Sequence, residues 1–102
     1  MAFQKGWRNI QKLEKLKAEG TYAFSNSLYQ EAVEKFTECL EMDPLNNAYN
    51  STILFNRSSA YVKLGHKQNA LADLNKAIEI NDSYVKALLK RSELHLAMEN
   101  FE

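Results

Sequence analysis

The feature that most constrains this chain is that it aligns with itself. The segment YQEAVEKFTECLEMDP (29–44) lies over KQNALADLNKAIEIND (67–82) without a gap. Ala32 falls on Ala70, Val33 on Leu71, Phe36 on Leu74, Cys39 on Ala77, Leu40 on Ile78 and Met42 on Ile80, each pair 38 positions apart. Both copies are apolar at i, i+1, i+4, i+7 and i+8, which is one face of an amphipathic helix. One such unit cannot bury its apolar face alone, so the repeat implies stacked neighbours with a continuous core.

A second set of segments precedes these helices: LKAEGTYAFSNS (16–27), LFNRSSAYVKLG (54–65) and LLKRSELHLAME (88–99). Leu16, Leu54 and Leu88 correspond, as do the small residues Gly20, Ser58 and Ser92, where a neighbouring helix would approach closely. Leu16 to Leu54 is 38 positions and Leu54 to Leu88 is 34, so the first repeat carries four extra residues. They fall around LNNAYNST (45–52), about one helical turn. The patterning predicts five helices, at 7–26, 29–42, 47–64, 67–80 and 83–99. Trp7, Ile10 and Leu13 extend the first apolar stripe toward the N-terminus. Pro44 stops the second helix, and Asn81, Asp82 and Ser83 offer oxygens to cap the fifth.

The fold class expected is therefore all-α, an α-solenoid of antiparallel helical hairpins with about two and a half repeats. The whole chain, 1–102, reads as one domain. It divides into an N-terminal helix extension (1–12), repeat one (13–46), repeat two with a lengthened first helix (47–84) and a truncated repeat three (85–102).

Totals exclude several classes. Thirteen basic residues balance thirteen acidic ones, whereas a nucleic-acid binder draws its affinity from a basic excess. The single Cys39 cannot form an intramolecular disulfide, and one Cys with two distant His cannot make a zinc site. No metal, cofactor or nucleic acid is expected. No apolar run is long enough for a bilayer, and no signal peptide opens the chain. These features point away from membranes and toward the cytosol, with the nucleus as a second compartment.

With the small and large residues in this register, the chain resembles the tetratricopeptide repeat (TPR) family. That family has the signature W-x2-L-G-x2-Y, then A-x3-F, then P. Repeat one matches at Leu16, Glu19, Gly20, Ala23, Ala32, Phe36 and Pro44. Repeat two matches at Leu54, Arg57, Ser58, Tyr61, Ala70, Leu74 and Asp82, and repeat three at Leu88, Arg91, Ser92 and His95. No repeat has the Trp, and Asp82 stands where the second Pro would be. The lengthened first repeat, FNRSSAY and YVKALLKRSELHLA together are similar to the second TPR cluster of the TPR-containing J-domain co-chaperones. The chain has no His-Pro-Asp signature, so the resemblance implies a piece of a longer co-chaperone.

Helices of the first type line the concave side of such a solenoid. The alignment turns Glu14, Lys17, Thr21 and Phe24 inward from helix one. It turns Thr52, Phe55, Asn56, Ser59 and Lys63 inward from helix three, and Lys86, Lys90 and Glu93 from helix five. Lys17/Thr21 and Lys86/Lys90 are i, i+4 pairs, each on one face. Asn is a mediocre helix former, so Asn56 in mid-helix asks for a reason. Facing the groove is one, while Arg57 beside it points into inter-repeat packing. The resemblance implies a carboxylate clamp for the acidic EEVD tails of the seventy- and ninety-kilodalton heat-shock chaperones. It maps onto Lys17, Thr21, Asn56, Lys86 and Lys90, with Thr21 standing where the family has Asn. Phe24, Phe55 and Ser59 would line the peptide groove.

Each residue also has a plainer reading. A lone helical lysine is ordinarily just solvated; it is the joint match that argues for a clamp. Phe36, Leu74, Ala32 and Ala70 read as core, and Cys39 as a buried inert thiol. His66 and His95 have no nucleophile placed beside them, so no enzyme activity is expected. The alternative function is a structural scaffold for self-association or intramolecular docking, without a tail peptide. Leu88, Leu94, Leu96, Met98 and Phe101 on an uncapped last helix would favour self-association.

Overall fold

Two equivalent turns fold the chain back on itself. Ser27 and Gly65, 38 positions apart, both adopt left-handed backbone, with φ of 64° and 80°. Leu28 N–H donates to Ala23 O at 2.8 Å and Ser27 N–H to Phe24 O at 3.0 Å; His66 N–H donates to Tyr61 O at 2.9 Å and Gly65 N–H to Val62 O at 3.0 Å. These are paired Schellman closures, which satisfy the last carbonyls of each first helix and reverse the chain.

The computed structural model describes residues 2–42 and 47–99, and side chains over 11–42 and 49–98. These residues form α1 (Ala2–Ser25), α2 (Tyr29–Met42), α3 (Asn47–Lys63), α4 (Lys67–Ile80) and α5 (Val85–Glu99). The all-α solenoid of five helices is thus observed. The bounds of α2 and α4 coincide with those the periodicity predicts, and α1 starts earlier than predicted, at Ala2. The fifth helix starts at Val85, not 83. Asn81 Oδ1 accepts from Ser83 N–H at 3.2 Å, and the first helical turn closes from Leu88 N–H to Tyr84 O. The side chain of Asn81 shapes the turn before α5 and does not cap the helix. The expectations for Trp7, Ile10, Pro44 and Phe101 lie outside the described side chains.

The helices stack as α1/α2, α3/α4 and α5 in an elongated array of 56 × 30 × 17 Å. Its first core comprises Leu13, Ala23, Ala32, Val33, Phe36, Cys39, Ile53 and Ala60; the second comprises Ala70, Leu74, Ala87 and Leu94. Tyr61 packs against both and joins them. Close approach of α1 and α2 depends on Gly20, where a Cβ would stand 2.6 Å from Phe36 Cε1. Ser58, at the same place in the second repeat, is fully buried and donates to Phe55 O at 2.6 Å.

Polar ties hold the repeats in register. Arg57 Nε and Nη2 each donate to the Asp73 carboxylate at 2.7 Å, and Nη1 donates to Thr37 Oγ1 at 2.9 Å. One guanidinium therefore joins α2, α3 and α4, in the inter-repeat packing expected for it. Burial works against its charge, but the Asp73 hydrogen bonds and carboxylate outweigh this and raise its pKa. Arg91 Nη1 repeats the backward reach, donating to Asn75 Oδ1 at 3.0 Å. The counterpart of Arg57–Asp73 in the first repeat is Glu19–Lys35, 3.6 Å apart with the charges exchanged.

Candidate functional site

The groove is built from the inward faces of α1, α3 and α5. Thr21 and Phe24 from α1 meet Asn56 and Ser59 from α3 around a pocket of about 140 Å³, with Phe36 of α2 also lining it. Four of the residues nominated from sequence are thus gathered at one place. Asn56 is half-buried here, which accounts for a polar amide inside α3. Phe24 is held edge-on to Tyr29, with ring centroids 5.4 Å apart.

The lysines bracket this pocket by resting on α3. Lys17 Nζ lies 5.6 Å from the centroid of the Tyr49 ring. Lys90 Nζ lies 5.9 Å from the centroid of the Phe55 ring. Both distances suit a cation–π contact, in which the ring's negative face attracts the ammonium. Lys86, one turn before Lys90 on α5, is exposed. Phe55 is half-buried, with one part of its ring in the second core and its face under Lys90. Its ring packs into the second core and against Tyr84, centroids 5.4 Å apart, and serves as the seat of Lys90.

Sequence reasoning missed Tyr49. It lies two turns before Asn56 on the same helix and on the same face, a signal that heptad spacing carries. It belongs to the extra turn that α5 lacks, and it falls on the polar Gln11 of α1, so the repeat alignment passed over it. Burial together with the Glu14 charge pushes the pKa of its hydroxyl up to about 12.

The arrangement offers ammonium groups, an amide, a threonine hydroxyl and a small half-apolar pocket. Ammonium and amide donors beside an apolar pocket have the chemistry to complement a carboxylate next to an apolar side chain. Among the described residues no His, Cys, Asp or Glu group is placed to hold a metal ion, and no helix is long and apolar enough to cross a membrane. The Cys39 thiol is buried against Leu13 O, and burial, with the Glu38 charge, raises its pKa to about 11.

The tetratricopeptide repeat family model matches residues 51–84. DnaJ homolog subfamily C member 7 of Mus musculus is 35% identical over 95 residues, which is 93% of this chain and 19% of that protein. Its homologue in Schizosaccharomyces pombe is 34% identical over 96 residues, 94% of this chain and 20% of that protein. The chain thus spans about a fifth of the length of these relatives. Among solved structures, the first TPR of Spaghetti (RPAP3), bound to HSP90 peptide SRMEEVD, is similar with a TM-score of 0.79 and 34% identity. The match covers 88% of this chain and 68% of that one. The TPR2B domain of yeast Sti1, in complex with an Hsp70 peptide, has a TM-score of 0.79 and 30% identity over 89% of this chain and 70% of that one. Repeat register, stacked hairpins and these likenesses agree: this chain belongs to the tetratricopeptide repeat family.

Proposed function

We propose that the chain is a peptide-binding module of a co-chaperone that grips the acidic EEVD tail of heat-shock chaperones, of the seventy- and ninety-kilodalton classes, through a carboxylate clamp. The observation that carries this reading is the shared pocket of Thr21, Phe24, Asn56 and Ser59, with Lys17 and Lys90 resting on α3 to either side. Lys17, Lys86 and Lys90 neutralise carboxylates, Asn56 and Thr21 donate to them, and the pocket takes the last apolar side chain. The solved relatives named above hold HSP90 and Hsp70 peptides, which supports tail binding here.

Charge-assisted hydrogen bonds contribute about 1.5–3 kcal/mol each. Peptide ordering and desolvation offset much of this, so a micromolar Kd, near −8 kcal/mol, is expected. The test is calorimetric titration with a free-acid EEVD peptide and its C-terminally amidated twin. Binding by the acid, lost on amidation and weakened by Lys86→Ala, is the expected result. Equal behaviour of acid and amide would overturn the clamp. Binding should also weaken as salt rises, because the exposed lysines are screened.

One observation favours a second reading, self-association. Val85, Leu89 and Leu96 are 63%, 61% and 58% exposed and follow one face of α5. A sedimentation profile that stays monomeric across a wide concentration range would rule it out.

A further inference from the structure

The extra turn of α3 has a task that the repeat itself does not require. It carries Tyr49 to the end of the groove where Lys17 emerges from α1. A lysine stem is long and rotamer-rich, and holding it in one place costs entropy when a ligand binds. Here the ammonium rests over the Tyr49 ring. The ring in turn is half-buried and packed against the first core. At the far end of the groove Phe55 seats Lys90, and Phe55 is held by Tyr84. The two lysines are thus seated by one helix, and only the Tyr49 seat comes from inserted residues.

We propose that Tyr49 is a positioning residue that pre-sets the Lys17 ammonium for the ligand's carboxylate, the inserted turn of α3 being the device that delivers it. The inference rests on the clamp reading of Lys17. It assigns no direct ligand contact to Tyr49. The aromatic face seats the ammonium, and packing on the first core steadies the ring.

The test compares wild type, Tyr49→Phe, Tyr49→Leu and Lys17→Ala by calorimetric titration with the free-acid EEVD peptide. In parallel, the NMR shift of the Lys17 ε-methylene protons is recorded without peptide. Exposed cation–π contacts of this kind correspond to about a threefold to fivefold change in affinity. Tyr49→Leu should bind about that much more weakly, while Tyr49→Phe, which keeps the ring, should bind like wild type. The Lys17 ε-protons should be shifted upfield by the ring in wild type and Tyr49→Phe and return to an ordinary position in Tyr49→Leu. Lys17→Ala losing affinity while Tyr49→Leu does not would leave the clamp standing and overturn the positioning role. A Lys17 signal in wild type with no upfield shift would overturn it as well, whatever the variants' folding. Wild type and Lys17→Ala both failing to bind would remove the clamp reading and this inference with it.

Discussion

At the scale of single residues, Arg57 and Ser27 show how the same repeat position can be strong in one copy and strained in another. Arg57 is seated on a two-pronged contact with Asp73, and the Asp73 side chain is only 8% exposed. Removing one partner of such a pair leaves the other charge buried and uncompensated, an effect of about 3–5 kcal/mol for fully buried pairs. Arg57 retains some exposure, so Asp73→Ala should destabilise by roughly 3 kcal/mol, at the low end of that range. Chemical denaturation would read this as a lower midpoint with unchanged slope. Ser27 is the opposite case. It holds the left-handed position that Gly65 holds in the second repeat, and a Cβ is disfavoured there. Ser27→Gly should therefore stabilise by about 0.5–1 kcal/mol, since relief of strain outweighs the added freedom of the unfolded glycine. A raised melting temperature is the readout; a fall would show that the Ser27 side chain contributes more than its backbone costs.

At the scale of elements, legibility followed repetition. The ends of α2 and α4 could be read because two copies of one apolar pattern stop at equivalent places, and the observed bounds agree. Inward positions could be read for the same reason: Thr21, Phe24, Asn56 and Ser59 meet at one pocket. What repetition does not carry was harder to see. Asp73 aligns with Lys35, so the charge exchange between Glu19–Lys35 and Arg57–Asp73 hides the pair from any comparison of the copies. Tyr49 sits on a turn that α5 lacks and falls on the polar Gln11 of α1, so no matching aromatic marks it. Phe55 lies on the border between groove and core, packed against Tyr84 and the second core while Lys90 rests over its ring, and the periodicity of α3 alone does not separate the two parts. The start of α5 is ambiguous in the sequence because a side-chain oxygen that can cap a helix can equally close an Asx turn before one, as Asn81 does.

At the scale of the whole molecule, the thin array has stability that is roughly a sum of neighbouring interfaces, so a change at the α1/α2/α3 seam should be felt globally. Cys39 belongs to the first core, and Tyr49 packs against it. Both hold their protons more tightly in the folded chain: Cys39 moves from 9.0 to about 11 and Tyr49 from 10.0 to about 12, chiefly through burial. Below pH 9 both groups are protonated in folded and unfolded chains alike, and the stabilisation is fully present. Above it the unfolded thiol releases its proton while the folded one keeps it, so the unfolded chain binds fewer protons and stability falls as pH rises. The loss through Cys39 runs from about pH 9 to about pH 11, and amounts to on the order of 2 kcal/mol. Tyr49 extends the decline toward pH 12. Melting temperature followed from pH 8 to pH 11 should drop for wild type. Cys39→Ala adopts the residue that the second repeat already carries at Ala77, and it should flatten the part of the curve nearest pH 9–10 while leaving the Tyr49 part in place. Identical pH profiles for wild type and Cys39→Ala would show that the thiol titrates alike in both states, and that the seam opens to solvent well before the chain unfolds.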